Sequence, residues 1–130
     1  MVISFDQAAA LALALPEVTE GERFGHRTWF VGKKAFAWER PFSKADIKRF
    51  GDETPPPGPI LAVSTAGLAE KEAVLAQHAG PVFTISHFDG FAAVLIQLKL
   101  ISKPVLRELL QDGWLAVAPK SLVQEHFPSF

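Results

Sequence analysis

The chain has 130 residues, of which 48% are hydrophobic, with eleven Phe, three Trp, no Cys and a formal net charge of −1. That length suits a single domain, residues 1–130, whose one apolar core needs neither disulfides nor a structural metal. The lack of cysteine excludes thiolate nucleophiles and thiolate metal sites and fits a reducing, cytoplasmic setting, while the near-neutral charge excludes the overall basicity of a typical nucleic-acid binder.

Ser4 followed three residues later by Gln7 resembles a capping box, and Phe5, Ala8, Ala12 and Leu15 recur at helical spacing, so a helix is expected from Phe5 to Ala14, ending before Pro16. The apolar run Ala8 to Leu15 follows Asp6, has no Lys or Arg before it, and is too short for a signal segment. No stretch approaches the ~20 apolar residues of a membrane-spanning helix, and no membrane association is expected. A β-hairpin is predicted from Thr28–Val31 and Ala35–Trp38 around Gly32-Lys33-Lys34, preceded by a strand near Glu22 to Gly25. Ser43, with Asp46 three residues on and Gly51 closing, marks a short helix whose exposed face carries Lys44, Lys48 and Arg49.

The tract Thr54-Pro55-Pro56-Pro57-Gly58-Pro59 lacks ladder donors at its prolines and reads as a stiff connector or a proline-type ligand. A strand from Ile60 to Ser64 follows. A helix from Leu68 to His78 then turns Leu68, Val74 and Leu75 inward and leaves Glu70, Lys71 and Glu72 outside. Strands Pro81–Ser86 and Ala93–Leu100 are expected to pair antiparallel through a turn at Asp89-Gly90. Pro104 opens a helix with Val105, Leu106, Leu109, Leu110 and Val117 on one side, and Pro119 breaks it before a last helical turn. The pattern is α+β, an antiparallel sheet with helices packed on one face.

Charge is unevenly spread. Residues 20–50 hold eight Lys/Arg against four Asp/Glu, which is either an ordinary solvated hairpin face or a basic docking edge. No cofactor motif is present: no glycine-rich loop precedes a Lys-Ser/Thr pair, and His26, His78 and His126 lack the spacing of a metal site. Glu17, Glu20 and Glu22 read as polar loop residues. Ser86-His87-Phe88-Asp89 is the one local string with catalytic potential. On a strand His87 and Asp89 share a side, where they would ligate a metal, act as base and partner, or hold a turn. Trp114 reads as a core anchor or a stacking platform, and Lys120 follows a helix break that would aim it.

Three strings, Gly25-His26-Arg27-Thr28-Trp29-Phe30-Val31, His87-Phe88-Asp89-Gly90-Phe91 and Trp114 with Ala118-Pro119-Lys120, resemble the YjbR/MmcQ family in order and spacing. Trp38-Glu39-Arg40-Pro41 and the run from Pro57 to Leu61 look like a variant branch with a longer central connection. The resemblance implies the order α-β-β-β-α-β-β-α, as in secretion-chaperone-like and frataxin-like domains. It also implies a protein described as DNA-binding or of unknown function. An iron-binding acidic ridge is not expected, because Arg23 and Arg27 interrupt Glu17, Glu20 and Glu22. On the matching positions His87, Asp89 and Gly90 form a turn, and Gly90 supplies a positive φ.

Three functions compete. In the first, Arg23, Arg27, Lys33, Lys34, Arg40, Lys44, Lys48 and Arg49, with Lys120, contact the phosphates of DNA without reading sequence. In the second, apolar grooves receive another protein, with Phe24, Trp29, Trp38 and Phe42 as exposed aromatics. In the third, His87 and Asp89 face a concave pocket and act on a small molecule as an enzyme, or with Gly90 and Trp114 they form a ligand or turn site.

Overall fold

A computed structural model describes residues 2–128. The first helix, α1 (Phe5–Leu13), begins at the expected capping box: the Gln7 N–H donates to Ser4 Oγ at 3.1 Å and the Ser4 N–H to Gln7 Oε1 at 2.9 Å. Its buried face is Ala8, Ala9 and Ala12, small side chains that let the helix lie close to its neighbours. Three strands follow, β1 (Val18–Arg23), β2 (His26–Val31) and β3 (Lys34–Glu39), then α2 (Lys44–Phe50), β4 (Ile60–Ser64) and α3 (Leu68–Gln77). Strands β5 (Val82–Phe83) and β6 (Ala93–Gln97) precede α4 (Lys103–Val117) and α5 (Lys120–His126).

The six strands form one sheet in the order β1-β2-β3-β4-β6-β5, with every neighbouring pair antiparallel. Its two faces differ in how they are covered. On the first, Trp29, Val31, Phe36, Leu61, Val63, Val94 and Ile96 pack with α1 and with Leu106, Leu109, Leu110 and Trp114 of α4. Gly113 lets α4 approach closely: a Cβ there would stand 2.7 Å from Val63 Cγ1 and 3.0 Å from Ser64 O. Glycine inside a helix costs roughly 0.5–1 kcal/mol relative to alanine, which the close packing offsets.

The second face is only half covered. Ile60, Ala62, Ala93 and Leu95 are roofed by Phe88, Phe83, Ile85 and Phe42, while the part formed by β2 and β3 stays open. The register of β2 on β3 shifts between Trp29 and Phe30, and the extra residue lets both Phe36 and Ala37 join the first-face core.

Several sequence expectations are corrected. β1 runs from Val18 to Arg23, so Glu20 is a strand residue and not loop, and the strand expected near Glu22 to Gly25 starts earlier and ends before the turn at Phe24 and Gly25. β5 is only two residues long, because the chain leaves the sheet after Phe83 and makes a 3-10 turn at Ser86–Phe88. Asp89-Gly90 therefore closes no tight hairpin. The excursion buries Phe88 on the second face, an apolar gain that a continued edge strand would forgo. Leu68 is half exposed, whereas Lys71, expected outside, is buried. The C-terminal segment docks as far as Phe127, whose ring lies 5.2 Å from that of Trp114; Ser129 and Phe130 lie outside the described residues.

Candidate functional site

The open half of the second face is a concave groove of about 1210 Å³. Its floor follows from strand alternation: His26 and Thr28 on β2, Trp38 on β3 and Ser64 on β4 point away from the helical core. Phe42, Phe88 and Phe91 form one wall. The ring of Phe91, 49% exposed, stands 6.2 Å from Trp38 and edge-on to Phe88 at 5.5 Å. Beyond the far side of the floor, Phe30 lies across Gly21, where a Cβ would meet the ring at 3.0 Å, and the Arg23 guanidinium sits 5.4 Å above that ring.

Five Lys/Arg side chains line the groove: Arg23, Lys33, Lys34, Arg40 and Arg49. Arg23 stands near one end of β2, and Lys33 and Lys34 at the other. A six-residue strand puts roughly 17 Å between those ends. The lining acids, Glu39 and Asp46, are both engaged within the protein. Glu39 accepts the Arg27 backbone N–H at 3.0 Å, and Asp46 pairs with Arg40 at 2.9 Å and Arg49 at 3.7 Å. Burial acts to raise the Asp46 carboxyl, but hydrogen bonds from the Ser43 backbone and from Arg40 outweigh it and hold the group below its ordinary value. Arg40 also stacks on Phe88 at 5.5 Å, so it locks α2 to the aromatic wall.

That wall is held from behind by Lys71. Its Nζ donates to Phe88 O at 2.6 Å and Phe91 O at 2.8 Å, satisfying two carbonyls of a loop that has left the sheet. Burial lowers the Lys71 ammonium from its ordinary value, while nearby Asp89 and Glu72 act in the opposite sense. Gly90, with φ of 75°, turns the chain between the two bonded carbonyls.

The tip of the β1–β2 hairpin closes one end of the groove. Phe24 and Gly25 are its two turn residues, with φ of 53° and 80°. Such a turn favours Asn or Gly at its first position, because a Cβ strains the left-handed conformation. Phe24 is nevertheless there, 96% exposed.

The remaining sequence-derived residues lie elsewhere. Arg27 faces α1 on the helical side. Its Nε and Nη2 donate to Glu20 at 3.1 and 3.0 Å and its Nη1 to Asp6 at 2.9 Å. The hydrogen bond from Arg27 lowers the Glu20 carboxyl from its ordinary value, against a smaller effect of burial. Glu20 also accepts the Trp29 indole N–H at 3.0 Å, so the cluster ties β1 to β2 and α1. Lys44 and Lys48 are exposed on α2 outside the groove, and Lys120 opens α5, which packs with the helical face. Trp114 is fully buried and donates to Pro16 O at 2.8 Å. His87 lines the groove, but Asp89 does not. The 3-10 turn at Ser86–Phe88 removes the strand alternation that would have placed them on one side. Among the described residues no group of three His, Asp or Glu is placed to share a metal ion, and no helix is long and apolar enough to cross a membrane.

Sequence reasoning missed Lys71 and the wall residue Phe91. A signal for Lys71 was present: Lys71, Val74 and Leu75 share the i, i+3, i+4 stripe of α3, so the helix turns this Lys inward with them.

The chain is similar to known proteins over most of its length. The chain is 40% identical over 124 residues to uncharacterised proteins from two strains of Mycobacterium tuberculosis and from Mycobacterium bovis, an alignment that covers 93% of each chain. The family model described as YjbR matches residues 13–116, which run from the end of α1 through nearly all of α4. The chain belongs to the YjbR family.

Proposed function

We propose that this protein binds DNA through the cationic rim of the second-face groove, by phosphate contacts that do not read sequence. The observation that carries the reading is the pairing pattern. Both lining acids are engaged within the protein, Asp46 by Arg40 and Arg49 and Glu39 by a backbone N–H, and the five lining Lys/Arg outnumber the two acids in a chain of net charge −1. A cleft with an excess of one sign of charge focuses the field on a partner of the opposite sign. The absence of cysteine supports a cytoplasmic setting for this activity.

The test is a fluorescence-anisotropy titration of a labelled random-sequence duplex at two salt concentrations, beside a Lys33→Glu, Lys34→Glu double variant. Engagement of about four phosphates gives a log-log salt slope near −3.6, from roughly −0.9 per phosphate, and the double variant halves that slope. Binding independent of salt, or unchanged in the variant, refutes the rim as the contact surface. A second reading, a groove for a peptide partner, is supported by the exposure of Phe24 and Phe91. Displacement of bound DNA by an apolar peptide with no charge would favour it.

A further inference from the structure

We infer that the occupant of this groove is an unpaired nucleic-acid strand whose bases stack on Trp38, Phe91 and Phe24, with duplex as the poorer ligand. The inference rests on the nucleic-acid reading above and deepens it from phosphate contact to base contact.

Charge alone does not account for the site. A convex duplex laid across a concave groove reaches the rim with its phosphates and keeps its base faces covered by their neighbours in the stack. The floor would then go unused. Yet the aromatic rings concentrate where the cations are. Trp38 is half-buried with Phe91 tilted beside it at 6.2 Å, Phe88 lies edge-on to Phe91, and Phe42 lines the same groove. Aromatic rings beside cationic ends, Trp38 in the floor and Phe91 in the wall, are the arrangement that tracks a backbone while stacking its bases, and it tolerates any sequence because every base has a π-face.

Phe24 supplies the independent observation. A side chain with almost no buried surface contributes little to the core, and its positive φ adds backbone strain. It belongs to the same groove lining as Trp38 and follows directly on Arg23 in the chain, so a base at the mouth meets a ring and its phosphate meets a guanidinium. Lys33 and Lys34 stand at the opposite end of β2, which gives the path two electrostatic anchors with the Trp38 ring on the floor between them.

The protein also carries its own reporter. Trp29 and Trp114 are buried on the helical face, at 1% and 0% exposure, which leaves Trp38 as the tryptophan that a ligand in the groove touches. The experiment titrates the intact protein with a short oligothymidylate and with a mixed-sequence duplex of equal length at one low salt concentration, following tryptophan quenching and anisotropy together. The single strand is expected to bind at least about 10-fold tighter and to quench Trp38. Phe24→Ser and Phe91→Ser, at exposed positions that leave the fold intact, each weaken the single strand by about 5-fold or more and leave duplex affinity unchanged. Equal, salt-sensitive affinity for both forms without quenching overturns this inference and leaves the rim reading standing. Binding of neither form overturns both.

Discussion

Replacing Phe24 by Asn separates what this residue does for stability from what it does for binding. In the folded protein Phe24 has φ of 53° at the first position of a two-residue hairpin turn, and its side chain is 96% exposed. The left-handed conformation costs an ordinary L-residue roughly 1–2 kcal/mol, and Asn recovers much of this through local hydrogen bonding of its side chain. Little burial is lost, so Phe24→Asn is expected to stabilise the protein by about 0.5–1.5 kcal/mol. For a domain of this size that raises the unfolding midpoint by about 2–7 °C. Urea unfolding supplies the check: the midpoint should rise with an unchanged m-value, since the surface exposed on unfolding barely differs. A lower midpoint would refute the reasoning, because it would mean that the ring packs on the groove in solution. A stabilised variant that has also lost single-strand affinity identifies Phe24 as a residue whose strain serves binding.

Lys71→Met keeps the apolar stem but leaves Phe88 O and Phe91 O without their ammonium donor. A cost of about 2–4 kcal/mol is expected from charge-assisted hydrogen bonds, read by urea unfolding, with faster amide exchange confined to residues 84–92. Gly113→Ala drives a Cβ into Val63 and the Ser64 carbonyl. Overpacking of about 1–3 kcal/mol should exceed the gain in helix propensity, so thermal unfolding should fall to lower temperature. Asp46 and Glu20 both have carboxyl pKa values held below their ordinary ones, so each contributes stability that is present above the ordinary carboxylate range and lost as pH falls through its folded-state value. Acid titration of the unfolding midpoint should show that loss, and Asp46→Asn should lower stability at neutral pH and shallow the acid slope.

Much of the fold was legible in the sequence because local signals and burial agreed. Ser4 and Ser43 cap the helices they announced, Ile60–Ser64 is the strand its apolar run describes, and Pro104 lies in the first turn of α4. The errors arose where tertiary packing overrode local pattern. Val82 to Ile85 has the composition of a longer strand, but Phe88 gains more by folding back over Leu95 and Ala62 than an edge pairing would return. Lys71 is charged and sits in a helix with acidic neighbours, so composition assigns it to solvent; its place on the inward stripe of α3 and its two bonds to loop carbonyls draw it inward. The groove was partly legible. Its cations stood out as a local charge excess, but which of them converge depended on strand alternation, which sends Arg27 to α1 and His26 and Thr28 to the groove.

The string His87-Phe88-Asp89-Gly90-Phe91 acquires a physical meaning once Lys71 is placed behind it. Phe88 anchors the loop to the sheet, Gly90 turns it, and the carbonyls of Phe88 and Phe91 hold the ammonium, so Phe91 is presented to the groove by a rigid mount. Arg40 fastens the same mount from the front, through Asp46 and the face of Phe88. The cationic rim needs no such support, because long side chains find phosphates by adjusting their rotamers. A stacking surface does need it, since a ring that must first be ordered spends its contact energy on that ordering. The hydrogen bonds and ion pairs around Phe88 and Phe91 therefore supply the rigidity that the proposed base stacking needs, and that phosphate contact alone does not.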